Sequence, residues 1–431
     1  MRKAILSSFL VVIMLQALMV NAQQTIRLPY SRFGLGQLQS QDPLAYRGMG
    51  GVSIGMRVPN QINFSNPASL TSQDTMSFLL DFGLSYNYTE LQSSSASSTA
   101  QSGNFQNFSF AFPVFRWWYS GIGLLPYSLV GYHTQNQSYI EGTLYPYNID
   151  YKGSGGLTRF VWSNAFKPFK GFSIGANVSY LFGSLDQTNT IDYLGVASNN
   201  SLPATDIMHK YIRVADVYMS YGLQYYSQKK EGLNYTIGLT FDNETKISAR
   251  YDELFYSAKT YSGTSTYTSY DTIVNTKGSN SNIKLPSNLG VGVSLNYNNK
   301  LIWGADFRQQ NWSNATILGK SDSLANSTSF HTGIQYTPNP RSVFNYFSRI
   351  EYRAGFHYTN SYYKFKGEQL KDIGYSAGLG FPFPSTRSKL NITYEFGKFG
   401  TTSNGLYAQK YSMFSVGFVL YDVWFVKRKF L

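Results

Sequence analysis

The sequence predicts an all-β protein: a transmembrane antiparallel β-barrel of about fourteen strands, plugged by an N-terminal hatch. Three observations carry this. Aromatic residues make up 17% of the chain and charged residues only 14%, the balance of a wall with aromatic girdles at both water–lipid interfaces. Apolar residues recur at every second position, in stretches that reach the roughly 9–11 tilted residues a spanning strand needs. The connections between these stretches alternate long and short, as loops and turns do at the two ends of a bacterial barrel.

Residues 1–22 read as a secretory leader. Arg2 and Lys3 start it, Ala4 to Val20 is largely apolar, and Val20-Asn21-Ala22 suits cleavage before Gln23. No later stretch approaches the ~18 uninterrupted apolar residues of a membrane helix. The exported chain is therefore expected at the outer membrane of a Gram-negative cell. Residues 23–74 read as a periplasmic lead-in followed by the hatch. Within them 46–70, YRGMGGVSIGMRVPNQINFSNPASL, has neither strand alternation nor a helical period. It carries Gly48, Gly50 and Gly51, then Asn66-Pro67-Ala68. Its Met49, Val52, Ile54, Met56, Ile62, Phe64 and Leu70 demand burial, so something must enclose it. A nucleotide-binding glycine loop is disfavoured, because no strand precedes it and no helix follows.

Residues 75–431 read as the barrel. In 76–88 the even positions are Met76, Phe78, Leu80, Phe82, Leu84, Tyr86 and Tyr88, with mostly small or polar odd partners. The same period marks 172–182, 217–225, 233–241, 289–297 and 390–396. Strands are expected near 75–90, 104–113, 117–133, 155–167, 171–184, 209–227, 232–247, 283–298, 301–313, 326–338, 348–360, 371–382, 387–398 and 409–424. Long loops are expected at 91–103, 134–154, 185–208, 248–282, 314–325, 361–370 and 399–408. Short turns fall near 113–116, 168–169, 229–232, 298–300, at Pro338-Asn339-Pro340 and at Pro382-Phe383-Pro384. The Tyr-, Ser- and Thr-rich stretch 248–282 reads as an exposed loop. An even strand count puts both termini on one side, the periplasm.

Composition bounds the chemistry. Without cysteine there is no disulfide framework, thiolate metal site or lipidated N-terminal Cys. The net charge of +13 gathers on no one face and reads as turn and loop charge, so no nucleic-acid partner is expected. His133, His209, His331 and His357 lack metal-ligand spacing, and no His–Ser–Asp set can be picked. No catalytic residue, metal or cofactor is expected. Alternation points Asp81, Asp306, Arg308, Arg349, Glu351, Arg353, His357 and Glu395 into the lumen, as a structural ladder packing the hatch. The stretch 119–133, YSGIGLLPYSLVGYH, breaks strand grammar: Pro126 sits in its middle among Gly121, Gly123 and Gly131.

The GMGG segment, the following Asn-Pro-Ala, and the stretches 285–313 and 352–358 (YRAGFHY) resemble the FadL-type outer-membrane transporters of hydrophobic compounds. The resemblance implies that 46–70 is the hatch and that Pro126 marks an inward kink of the third strand, opening a lateral exit into the bilayer. It implies passive uptake of a hydrophobic small molecule or lipid, long-chain fatty-acid-like, by a monomer. The C-terminal Trp424, Phe425 and Phe430 resemble the signal read by the barrel-insertion machinery, although Leu431 follows the last aromatic. Two other functions stay open: an interaction partner of an outer-membrane secretion or surface-assembly machinery, and a barrel enzyme.

Overall fold

The computed structural model describes residues 28–94, 96–142, 144–194, 204–229, 231–260, 267–321, 324–384 and 386–423. The leader and the C-terminal aromatics Trp424, Phe425 and Phe430, with Leu431, lie outside these residues.

Fourteen antiparallel strands form the wall. They are β1 (Ser77–Gln92), β2 (Ser97–Pro113), β3 (Trp118–Tyr139), β4 (Pro146–Phe169), β5 (Phe172–Tyr193), β6 (Ala204–Tyr226) and β7 (Leu233–Asp242, continuing as Thr245–Thr260). Then come β8 (Tyr267–Leu285, continuing as Asn288–Tyr297), β9 (Leu301–Gln310), β10 (Ser327–Tyr336), β11 (Glu351–Phe365), β12 (Glu368–Pro382), β13 (Lys389–Gly400) and β14 (Ala408–Val423). β14 closes on β1, from Ala408 opposite Gln92 to Val423 opposite Ser77.

The period-two pattern sorts side chains between lipid and lumen. On β1, Leu79, Asp81 and Ser85 are buried, while Leu84 and Tyr86 are nearly half exposed. On β6 the exposed set is Val217, Met219, Tyr221 and Leu223.

Several expected loops are strand. β3 and β4 stay paired out to Tyr139 opposite Pro146, β5 and β6 out to Asp192 opposite Thr205. Within the expected 248–282 loop, 248–260 and 267–282 are the paired ends of β7 and β8, with Ala249 opposite Ser281. Beyond the bilayer no lipid face has to be apolar, so the alternation fades. The Thr and Tyr content still suits extended backbone. At the other end, the join expected to be short at Pro338-Asn339-Pro340 runs over 337–350 and holds a 3-10 turn, Phe347–Arg349.

Residues 28–73 run inside the wall. They hold a 3-10 turn (Pro29–Arg32), a two-residue strand (Gln37–Leu38), a helical turn (Leu44–Arg47) and a second 3-10 turn (Pro67–Ser72). Their first part packs among wall residues near the long connections, such as Leu185, Tyr362 and Phe399.

Candidate functional site

The inner segment touches the wall through its backbone. Gly50 has φ +72°, a left-handed value that favours glycine, and its N–H donates to Ser376 Oγ at 2.9 Å. A Cβ on Gly355 of β11 would stand 2.0 Å from the Gly50 nitrogen, so contact there requires glycine. Asn66 caps the Pro67–Ser72 turn by accepting from Ala68 N at 3.2 Å. Its Nδ2 donates to Ile54 O at 2.9 Å and to Leu223 O at 3.2 Å. One amide thus ties the turn, the segment and the wall. Pro67 packs over Gly175 of β5, and Gly48 over Gly378 of β12.

Wall side chains satisfy the segment's remaining backbone groups, as buried polar backbone requires. Asp306 accepts from Ser53 N at 2.6 Å and Ile54 N at 2.8 Å. Gln224 donates to Ile54 O and Met56 O. Asn177 donates to Phe64 O at 2.8 Å, and His331 Nδ1 to Gly50 O at 2.6 Å. Arg308 donates to both Asp42 oxygens and, at 3.0 Å, to Gly51 O. Asp42 also accepts from Ser53 Oγ and Ser65 Oγ. Burial would raise the Asp42 pKa, but the Arg308 guanidinium overrides it and holds the carboxyl below the usual range. Arg57, pushed down to about 10 by burial, donates to Thr71 at 2.8 Å and lies 3.7 Å from the centre of the Tyr226 ring.

The expected charge ladder falls into three clusters. Asp306 and Arg308 meet Asp42. Arg47 joins Glu395 at 3.6 Å to Gln106 at 2.5 Å. Glu351 pairs with Arg353 and Lys389, and Arg353 also donates to Gln335 and Asn391. Asp81 accepts from Gln61 at 2.9 Å. Arg349 closes the 3-10 turn Phe347–Arg349. β11 begins at Glu351, so the alternation stops before it, and its guanidinium lies 5.1 Å from the centre of the Tyr346 ring in the preceding turn.

The wall is incompletely sealed between β2 and β3. These strands pair only from Phe108 opposite Leu124 to Pro113 opposite Tyr119. Beyond that, β2 pairs with β1 alone. β3 stays on β4, with a bulge between Pro126 and Ser128, and turns its other edge to the inner segment. Gln37 and Leu38 pair with Leu129 and Ser128. Gln41 Nε2 donates to Pro126 O, Gln39 N to Tyr127 O and Leu28 N to Gly131 O, each at 2.9 Å. Proline has no N–H to give a neighbour, and the bulge that it joins lets the strand change partners. Glycine makes room beside it: a Cβ on Gly123 would meet the Phe64 ring at 2.4 Å, and one on Gly121 would touch Ala111 and Phe64. The notch itself, between Gln41, Leu44, Phe64, Gln106, Asn107 and Leu125, encloses only about 10 Å³, roughly one water.

The inner segment and the wall enclose two apolar clusters and a chamber of mixed lining. Near the long connections, Leu28, Tyr30 and Leu35 are buried among Leu129, Leu157 and Trp312. Near the short turns, Ile62, Phe64 and Leu70 pack on Leu79, Val161 and Val419. Between segment and wall lies a cavity of about 320 Å³, lined among others by Asp42, Arg47, Arg308, His357, Glu395 and Tyr411. Sequence reasoning missed Gln41, Asp42, Gln224 and His331. Asp42, the sole acid in 23–45, was the available signal.

A family model described as BamG matches residues 1–431. No curated protein matches the chain. Among solved structures, the chain is similar to the CymD monoaromatic hydrocarbon channel, with 14% identity and a TM-score of 0.55 over 90% of this chain and 98% of that one. The toluene transporter TbuX of Ralstonia pickettii gives 13% and 0.55 over 88% and 98%. A FadL homologue of Pseudomonas aeruginosa gives 14% and 0.53 over 90% and 98%. At these identities the likeness is one of fold, that of outer-membrane hydrocarbon channels.

Proposed function

We propose, from the premise that this chain belongs to the BamG family, that it is an outer-membrane barrel passing hydrophobic small molecules passively. An apolar, long-chain fatty-acid-like solute is captured among the long connections and leaves sideways between β2 and β3. Residues 23–74 follow a cleaved leader, 1–22, and act as the hatch of the 75–431 barrel, a monomer with its short turns in the periplasm. The carrying observation is the change of partner by β3 beyond Leu124. The likeness to hydrocarbon channels supports the reading at the level of fold. Direct entry into lipid suits an apolar solute, which gains free energy by leaving water. The gate residues would be Gly121, Gly123, Pro126 and Gly131, with hatch residues 39–44 and Phe64 behind them.

The test is a reversible clasp. Asn107→Cys and Leu125→Cys sit directly beyond the last paired residues, Phe108 and Leu124, and line the same notch, so a disulfide between them, which needs the Cα atoms within ~7 Å, would close it. Oxidation should abolish uptake of a radiolabelled fatty acid, and reduction should restore it. Normal uptake by the oxidised barrel removes the lateral route.

A second reading, partner of an outer-membrane assembly machinery, is favoured by the BamG match itself, which relates to barrel assembly. The filled apolar clusters also suit a barrel that conducts nothing. Affinity purification from native membranes separates the two: stoichiometric recovery of assembly proteins together with absent uptake selects the second.

A further inference from the structure

Among the described residues, the 337–350 turn between β10 and β11 displays the most exposed apolar side chains of the short-turn end. Val343 is 83% exposed, Phe344 101% and Phe347 72%. Three large apolar groups held in water are costly. The turn nevertheless has its own internal frame. Asn339 N donates to Ser348 O at 2.7 Å. Ser342 Oγ accepts from Asn345 N, and Asn345 Oδ1 from Ser348 N. The apolar tip is therefore presented by built structure.

Two observations say what covers it. Tyr352, the first outward-facing residue of β11, donates its hydroxyl to Phe347 O at 3.3 Å. Tyr352 faces the same side as the half-exposed Tyr336 opposite it on β10, so the Phe347 backbone lies against the outer face of the wall. The turn also carries Arg341 and Arg349 and no acidic residue. Thr337 N bonds the carbonyl of Lys300, a third cation, in the neighbouring turn. Aromatic and aliphatic groups beside basic ones, at the rim of a membrane wall, match the boundary between acyl chains and anionic headgroups.

We propose that the 337–350 turn is a lipid anchor. Val343, Phe344 and Phe347 seat at the edge of the acyl region, and Arg341 and Arg349 pair with phosphates of anionic phospholipid. The assignment to the inner leaflet rests on the periplasmic placement of the short turns proposed above; the anchor itself needs only that the barrel spans a bilayer.

The chain has no native cysteine, so single labels are clean. Full-length Phe344→Cys, and separately Val343→Cys, would be labelled with an environment-sensitive fluorophore. Each is reconstituted into vesicles of phosphatidylethanolamine and phosphatidylglycerol. Asn299→Cys, in the exposed turn between β8 and β9, is the reference. The anchor requires blue-shifted emission at 343 and 344, quenching by brominated lipid, and iodide quenching several-fold weaker than at 299. Adding Arg341→Gln with Arg349→Gln should remove the enrichment of phosphatidylglycerol over phosphatidylcholine retained by the purified barrel in native mass spectrometry. Iodide access at 344 equal to that at 299 overturns the anchor. Protection found in native membranes but absent from these vesicles also overturns it, because a protein would then be the cover. Unchanged phosphatidylglycerol enrichment in the double variant overturns the headgroup pairing. Solute uptake is read in none of these arms, so failure of the transport reading and failure of the anchor are told apart.

Discussion

Arg308 donates to both oxygens of Asp42, at 2.7 and 3.2 Å, and so bolts the inner segment to β9. Both side chains are largely buried. Removing one partner leaves an uncompensated charge, which costs about 3–5 kcal/mol at such sites. Arg308→Met should lower the unfolding midpoint of the barrel in detergent and raise its conductance in planar bilayers. Conductance and midpoint both equal to the parent would show that the pair holds nothing in place.

Acid should release the same bolt. Burial opposes ionisation of Asp42, yet Arg308 keeps its folded pKa below the ordinary value. Such a group contributes stability that is fully present above the unfolded carboxylate pKa of about 3.9. That stability is lost as pH falls below this value towards the folded pKa. Current through single barrels should therefore rise below about pH 4, and Asp42→Asn should flatten the response. A parent protein whose conductance does not change on acidification contradicts the account.

Gly355→Ala tests the backbone approach. Its Cβ would collide with Gly50 N, so the segment must move off β11 and small polar solutes should leak. Gly103→Ala meets nothing within 4 Å and serves as the matched control. Equal, parental permeability of the two variants would mean that the inner segment yields without opening a path.

Topology can be read on whole cells. An epitope inserted at Thr264, between β7 and β8, should bind antibody on intact cells. One inserted at Asn299 should bind only after permeabilisation. The reverse pattern inverts the barrel.

The wall was legible because lipid enforces alternation: Leu84 and Tyr86 outside, Asp81 and Ser85 inside, can be read by counting. Where lipid ends, the constraint ends with it, and the paired ends of β3 to β8 passed for loops. That Pro126 departs from strand grammar could be read from its chemistry, but no local rule says that β3 would take Gln37 and Leu38 as its new partner. Asp306 could be placed in the lumen by parity; its acceptance of the Ser53 and Ile54 N–H groups depends on contacts more than two hundred residues apart in the chain. Arg349 was counted by parity as part of the strand, which begins two residues later at Glu351.

Those separations bear on how the molecule assembles. Leu44 O is reached by Thr393 across 349 positions, and Gly50 N by Ser376 across 326. Residues 28–41 and 62–70 can dock on the early strands β3 to β5, but the stretch from Leu44 to Gly50 has no complete docking surface until nearly the last strands exist. Distant contacts repay their ordering entropy late and slow folding. The middle of the inner segment must wait, with Met49, Val52 and Ile54 uncovered, while the wall is built. A chaperone or insertase serving this chain would have to shield its N-terminal end until its C-terminal end arrives.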